Sequence, residues 1–210
     1  MTPHVAPRDR RHWVFDMDGT LTVAAHDFAL IRRALGVAPG DDILDYLAGL
    51  PAAQAEARHA WLMAHERELA RQSTAAPGAC ELVRALRARG DRIAILTRNA
   101  QVLATLTLDC IGLGEEFPAD AVLGRESAPP KPRPDGLLQL AARWQVAPDR
   151  LVMVGDHAHD LRCGRAAGAL TVLVGPENRW PALADVHVTD CHALMGLVGL
   201  VAEPVALDAH

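Results

Sequence analysis

Six short apolar runs constrain the fold more than any other feature of this chain. They are "WVF" (13–15), "IAIL" (93–96), "AVL" (121–123), "LVMV" (151–154), "LTVLV" (170–174) and the stretch "DVHVT" (185–189). Most stop at a polar residue or a glycine, and apart from "DVHVT" they lack the apolar–polar alternation of a half-exposed strand. Such runs suit strands buried on both faces, as in a parallel sheet. Helical patterns fill the gaps between them. "CELVRALRAR" (80–89) places apolar residues at 82, 83 and 86 ahead of Gly90, and "DGLLQLAARWQV" (135–146) and "LRCGRAAGA" (161–169) follow later. Strand alternating with helix predicts an α/β chain with a Rossmann-like, doubly wound parallel sheet.

One segment breaks the alternation. Between Thr22 and about Thr74 no strand-like run occurs. "FALIRRALGV" (28–37), "DDILDYLAGL" (41–50) and "AAQAEARHAWLMAHERELARQ" (52–72) all predict helix, separated by Pro39-Gly40 and Pro51. In the third, positions 57, 60, 61 and 64 predict an apolar face. Pro77-Gly78 marks the return to the sheet. The expected division is therefore an α/β core of residues 1–21 and 75–210, with a helical module of residues 22–74 inserted after the first strand. No internal repeat or low-complexity tract interrupts this plan.

Composition excludes several classes. A net charge of -5 over 210 residues gives no basic footprint for nucleic acid. The four cysteines (Cys80, Cys110, Cys163 and Cys191) form no CxxC pair, so neither a zinc site nor a disulfide framework is expected, and reduced, buried thiols are. The start, "MTPHVAPRDRRH", lacks a signal-type apolar stretch, and "LMGLVGLVA" (194–202) is too short to span a bilayer. The expectation is a soluble, cytoplasmic protein with no membrane partner.

Ligands of open parallel sheets bind at the carboxyl ends of the strands. The residues that end the runs are therefore the candidates: Asp16 and Asp18, then Thr97-Arg98-Asn99, then Gly155-Asp156 with Asp160 shortly after. A parallel sheet gathers them along one edge. Two carboxylates about 4–5 Å apart repel by roughly 3–4 kcal/mol at an effective dielectric of about 20. Several such pairs weigh heavily against a folding stability of about 5–15 kcal/mol. The cluster needs protons or a cation, and hard oxygen donors favour Mg2+. Lys131, set between prolines in "APPKPRPDG" (128–136), is the basic residue that would balance a phosphate.

"DMDGT" (16–20), "ILTRN" (95–99), "KPRPDG" (131–136) and "VMVGDHAHD" (152–160) occur in the order and spacing of the haloacid dehalogenase-like hydrolase superfamily, which the chain resembles from about residue 13 to 200. The helical insert sits where that superfamily places a helical cap, as in its phosphoglycolate phosphatase-like members. The resemblance implies that Asp16 is the nucleophile that becomes an aspartyl-phosphate. Asp18 is then the general acid, and afterwards the base for water. Thr97 and Lys131 hold the phosphoryl oxygens. Asp156 ligates Mg2+ with Asp16 and the main-chain carbonyl of Asp18, and Asp160 assists through water or from one layer out. Gly19, Thr20, Arg98 and Asn99 are the expected substrate-binding positions, Gly19 because its backbone can approach phosphate closely.

The implied activity is Mg2+-dependent hydrolysis of a small, phosphoglycolate-like phosphomonoester. The alternatives are a mutase of the β-phosphoglucomutase type and a non-enzymatic phospho-ligand-binding member. Dehalogenation is disfavoured, because dehalogenases of this superfamily lack the residue that Asp18 supplies. The implied partner is a small phosphorylated metabolite, and the sequence sets no oligomeric state. Plainer roles compete at single positions. Thr97 and Asp160 could cap helices, "PPKPRP" could be a polyproline ligand, and His157 and His159 could hold a transition metal. Trp61 and Trp144 are expected in cores. Arg32, Arg33 and His65 are expected mostly on the solvated face of the insert, with one of them a candidate to face the site.

Overall fold

The computed structural model describes residues 6–25 and 27–200. All six apolar runs are strands: β1 (His12–Phe15), β2 (Arg92–Leu96), β3 (Val122–Leu123), β4 (Leu151–Gly155), β5 (Leu170–Val174) and β6 (Val186–Val188). They form one sheet in the order β3-β2-β1-β4-β5-β6. Every neighbouring pair is parallel. The first strand lies in the middle, and the winding changes direction between β1 and β4. That is the switch point where an open sheet leaves a crevice at its carboxyl edge.

Alternate residues of β1 to β5 feed the two faces, which is why those runs are mostly apolar, whereas β6 at the end of the sheet leaves His187 exposed. Trp13, Phe15, Ile93, Ile95, Val152 and Val154 share a core with α4 (Ala79–Ala88), α5 (Gln101–Cys110) and α8 (Cys191–Leu197). Val14, Ala94, Leu96 and Met153 pack on the other face against α6 (Asp135–Trp144) and α7 (Ala158–Ala167). Helix α7 starts three residues before the predicted segment, so Asp160 lies in its first turn. Trp144 packs beside the second core as expected.

Three helices lie between β1 and α4: α1 (Phe28–Leu35), α2 (Ile43–Ala48) and α3 (Ala52–Arg71). Asp27 caps α1 by accepting from Leu30 N at 2.9 Å, and Asp42 caps α2 by accepting from Leu44 N at 2.9 Å. Ile31, Leu35, Val37, Leu47 and Leu62 form a small core of their own. The two ends of the segment run side by side: Val23 N donates to Thr74 O, and Ala76 N donates to Leu21 O.

The predicted face of α3 is wrong. Ala57, Ala60, Trp61 and Ala64 are exposed, and the helix buries Leu62, Glu66 and Ala70 instead. Alanine favours helix wherever it stands and has little to gain from burial. Glu66 tolerates burial because an arginine pairs with it. Trp61 is 37% exposed and stacks on His65 rather than filling a core.

Cys163 and Cys191 are buried and free, as expected, whereas Cys80 is half-buried and Cys110 exposed. Among the described residues no helix is long and apolar enough to cross a membrane. The first five residues of "MTPHVAPRDRRH", and the last two of "LMGLVGLVA", lie outside the described residues.

Candidate active site

Phe15 sits in register between Ile95 and Val154, so Asp16 emerges at the centre of the carboxyl edge. Its N–H donates to Val154 O at 2.8 Å, extending the ladder by one residue. Asp156 follows the last residue of β4, and Asp160 projects from the first turn of α7. Carboxylate oxygens of Asp16, Asp156 and Asp160 all lie within 4.8 Å of one another. Lys131 arrives from the loop after β3 and is 2% exposed. Its Nζ lies 2.6 Å from Asp16 Oδ1 and 2.7 Å from Asp160 Oδ1. Asp160 Oδ2 accepts from His157 N at 3.0 Å, so this residue caps α7 as well as holding the lysine. A lysine buried in this way does not belong to an exposed polyproline ligand.

Three acids and one ammonium leave excess negative charge. Burial and the neighbouring Asp160 push the Asp16 carboxyl up to about 6, with Lys131 opposing the rise. Burial, then Asp16 and Asp160, push Asp156 up to about 7. Burial disfavours the Lys131 ammonium, but Asp16 and Asp160 outweigh it and raise its pKa. An all-carboxylate donor set that resists ionisation fits a hard divalent cation.

Asp18 stands outside that trio, and its Oδ2 accepts from Asn99 Nδ2 at 2.6 Å. Gly19 has a φ of +80°, and a Cβ there would lie 2.4 Å from Asp156 Oδ2. Thr20 is buried and donates to Asp156 Oδ1 at 3.3 Å. Thr97 is also buried, and its Oγ1 accepts from Asn99 N at 3.2 Å. It does not cap α5, whose Gln101 N donates instead to Glu126 Oε2 at 2.9 Å.

Arg98 faces the insert. Its Nη2 lies 2.5 Å from Asp42 Oδ2, and its Nη1 donates to Lys131 O at 3.2 Å. His157 and His159 stack with ring centroids 4.7 Å apart, beside the acids and not among them. Burial, then Arg98 and His157, push His159 down to about 4.

These groups line a cavity of about 390 Å³ whose far wall comes from the insert. Sequence reasoning expected the insert to face the site but missed two charged residues of that wall. Asp42 and Glu66 reach the cavity from α2 and α3, and Arg125 Nη1 donates to the two carboxylate oxygens of Glu66 at 2.9 and 3.1 Å. Arg32, one of the three basic residues weighed for this role, also lines it.

The chain is thus an α/β protein with a doubly wound parallel sheet, an acid–lysine cluster at its switch point and inserted helices facing that cluster. The chain belongs to the haloacid dehalogenase-like hydrolases: the profile of that family matches residues 11–168. It is 32% identical to an uncharacterized hydrolase of Saccharomyces cerevisiae, over 88% of this chain and 89% of that protein. It is 31% identical to a phosphoglycolate phosphatase of Caulobacter vibrioides, over 76% and 77% of the respective chains. The fold matches a family hydrolase from Deinococcus radiodurans, solved with bound phosphate and sodium, with a TM-score of 0.67. That match covers 95% of this chain and 100% of the other, at 24% identity.

Proposed function

We propose that this hydrolase is a Mg2+-dependent phosphatase acting on a small, phosphoglycolate-like phosphomonoester through an aspartyl-phosphate. The observation that carries the reading is Lys131 Nζ held between Asp16 and Asp160, next to Asp156. The name of the Caulobacter relative supports the substrate class.

Asp16, Asp156 and the main-chain carbonyl of Asp18 would hold the ion, steadied by Asp160. When bound, the ion supplies positive charge against the phosphoryl oxygens. A carboxylate oxygen of Asp16 attacks phosphorus, and the bond from phosphorus to the alcohol oxygen breaks. Asp18, oriented by Asn99, passes a proton to that oxygen, and the alcohol leaves. Water then attacks the aspartyl-phosphate and gives a proton back to Asp18. The phosphorus–Asp16 bond breaks, which frees phosphate and restores the carboxylate. Lys131 and Thr97 face the oxygens on which charge grows. Gly19 keeps the loop low enough for phosphate to approach.

Residues 22–74 act as the cap in this reading. The pairs Arg98–Asp42 and Arg125–Glu66 hold the cap against the sheet edge, and closure excludes water from the intermediate. The test is phosphate release from a panel of small phosphomonoesters with Mg2+, repeated with a chelator and with Asp16→Asn. Turnover that survives either treatment overturns the reading.

A further inference from the structure

The cavity has two unlike ends. The sheet end carries Lys131 and the acids. The insert end is walled by Phe28, Ile31, Ile43, Leu44 and Leu62. Charges among those apolar residues are almost all paired: Asp42 with Arg98, and Glu66 with Arg125. Lys131 is taken up by Asp16 and Asp160.

Arg32, in the last turn of α1, is the exception. It lines the cavity and makes no ion pair with a carboxylate among the described residues. Its Nη2 reaches Asp41 O at 3.4 Å, and its Nε is buried with no hydrogen-bond partner. A guanidinium stays charged at any physiological pH, and its planar fork matches a carboxylate. A buried N–H without an acceptor is costly, so the site is incomplete without an anion from elsewhere.

We infer that Arg32 is the specificity-determining residue for the leaving group, and that it binds a carboxylate there. This rests on the phosphatase reading and narrows it: the favoured substrates are phosphomonoesters of hydroxy acids. One unpaired cation balances one negative charge, which suits a carboxylate better than a second phosphate dianion. The apolar wall covers the carbon chain between the two anionic ends. A cavity of about 390 Å³ is at the small end of the usual range for small-molecule pockets, roughly 300–1,000 Å³.

The test compares phosphoglycolate with ethyl phosphate, which lacks the carboxylate, in wild type, Arg32→Gln and Arg32→Lys. Glutamine keeps the helix propensity of α1 and removes the charge. The preference for phosphoglycolate, as a ratio of kcat/KM, is expected to fall roughly 10- to 100-fold in Arg32→Gln, mostly through KM, with partial rescue by lysine. Arg33→Gln, at the exposed neighbouring position, keeps the wild-type ratio. An unchanged ratio in Arg32→Gln overturns the inference. A second measurement needs no turnover: calorimetric binding of 3-phosphonopropionate against propylphosphonate. Wild type should favour the carboxylate, and Arg32→Gln should lose that preference. If no ester is hydrolysed, the phosphatase reading fails by itself. The calorimetric preference then decides about Arg32: its loss in the variant supports the assignment, and its absence from wild type or persistence in the variant refutes it.

Discussion

Arg98 and Asp42 meet across the seam between the sheet edge and the inserted helices, Nη2 to Oδ2 at 2.5 Å. The same arginine donates to the main-chain oxygen of Lys131. One side chain therefore touches the insert and the residue that steadies Asp16.

Asp42→Asn isolates this contact, because asparagine caps α2 as well as aspartate does. The pair is 25% and 29% exposed, so its worth is about 1 kcal/mol or less. A KM several-fold higher is expected from Asp42→Asn or Arg98→Ala, with little further loss in the double variant. Raising the salt concentration should shrink the difference from wild type. Additive losses in the cycle would show that the two side chains act apart.

Lys131→Met should destabilise the fold as well as stop turnover. It removes the ammonium between two buried carboxylates, and breaking such a pair typically costs about 3–5 kcal/mol. Adding Asp160→Asn removes part of the stranded charge. The double variant should therefore regain Tm without regaining phosphate release. A Lys131→Met protein as stable as wild type would contradict the pairing.

The metal-free protein should lose stability as pH rises. The Asp156 carboxyl is raised from its usual 3.8 to about 7 in the folded state. The folded protein then holds this proton more tightly than the unfolded chain does. Its contribution is complete below about pH 4 and is lost as pH climbs through about 7, to a limit of about 4 kcal/mol. Mg2+ should offset the loss, so the rise in Tm on adding it should be larger at pH 7.5 than at pH 5. Thermal melts across that range, with and without a chelator, check the sign.

Gly19→Ala should cripple the site while leaving the sheet intact. The new Cβ would fall 2.4 Å from Asp156 Oδ2, at a φ of +80° that alanine rarely adopts. A loss of turnover of at least 100-fold, with weakened Mg2+ binding in calorimetry, is expected. Activity near that of wild type would mean that the loop and Asp156 are not so closely apposed.

Much of the fold was legible because most strands are short, apolar and sharply ended. Phe15–Asp16, Leu96–Thr97 and Gly155–Asp156 mark strand ends in the text itself, and a parallel sheet has one edge to which they lead. The packing of α3 was not legible. Its sequence offers alanines on one side and a glutamate on the other, and the structure buries the glutamate. What decides this is Arg125, 59 residues away, and no local pattern announces such a partner. Arg98 was a substrate-binding candidate from its place after Thr97, but its pairing with Asp42 across 56 residues was equally silent. Spacing reveals groups delivered by strand ends. It does not reveal pairs made where two separately folded surfaces meet.

The placement of β1 between β2 and β4 carries a consequence for synthesis. A ribosome makes Asp16 well before Lys131, Asp156 and Asp160. A nascent chain that ends before the loop after β3 holds Asp16 with neither Lys131 nor its fellow acids Asp156 and Asp160. The acid–lysine cluster is therefore complete only when β4 and α7 have docked beside β1.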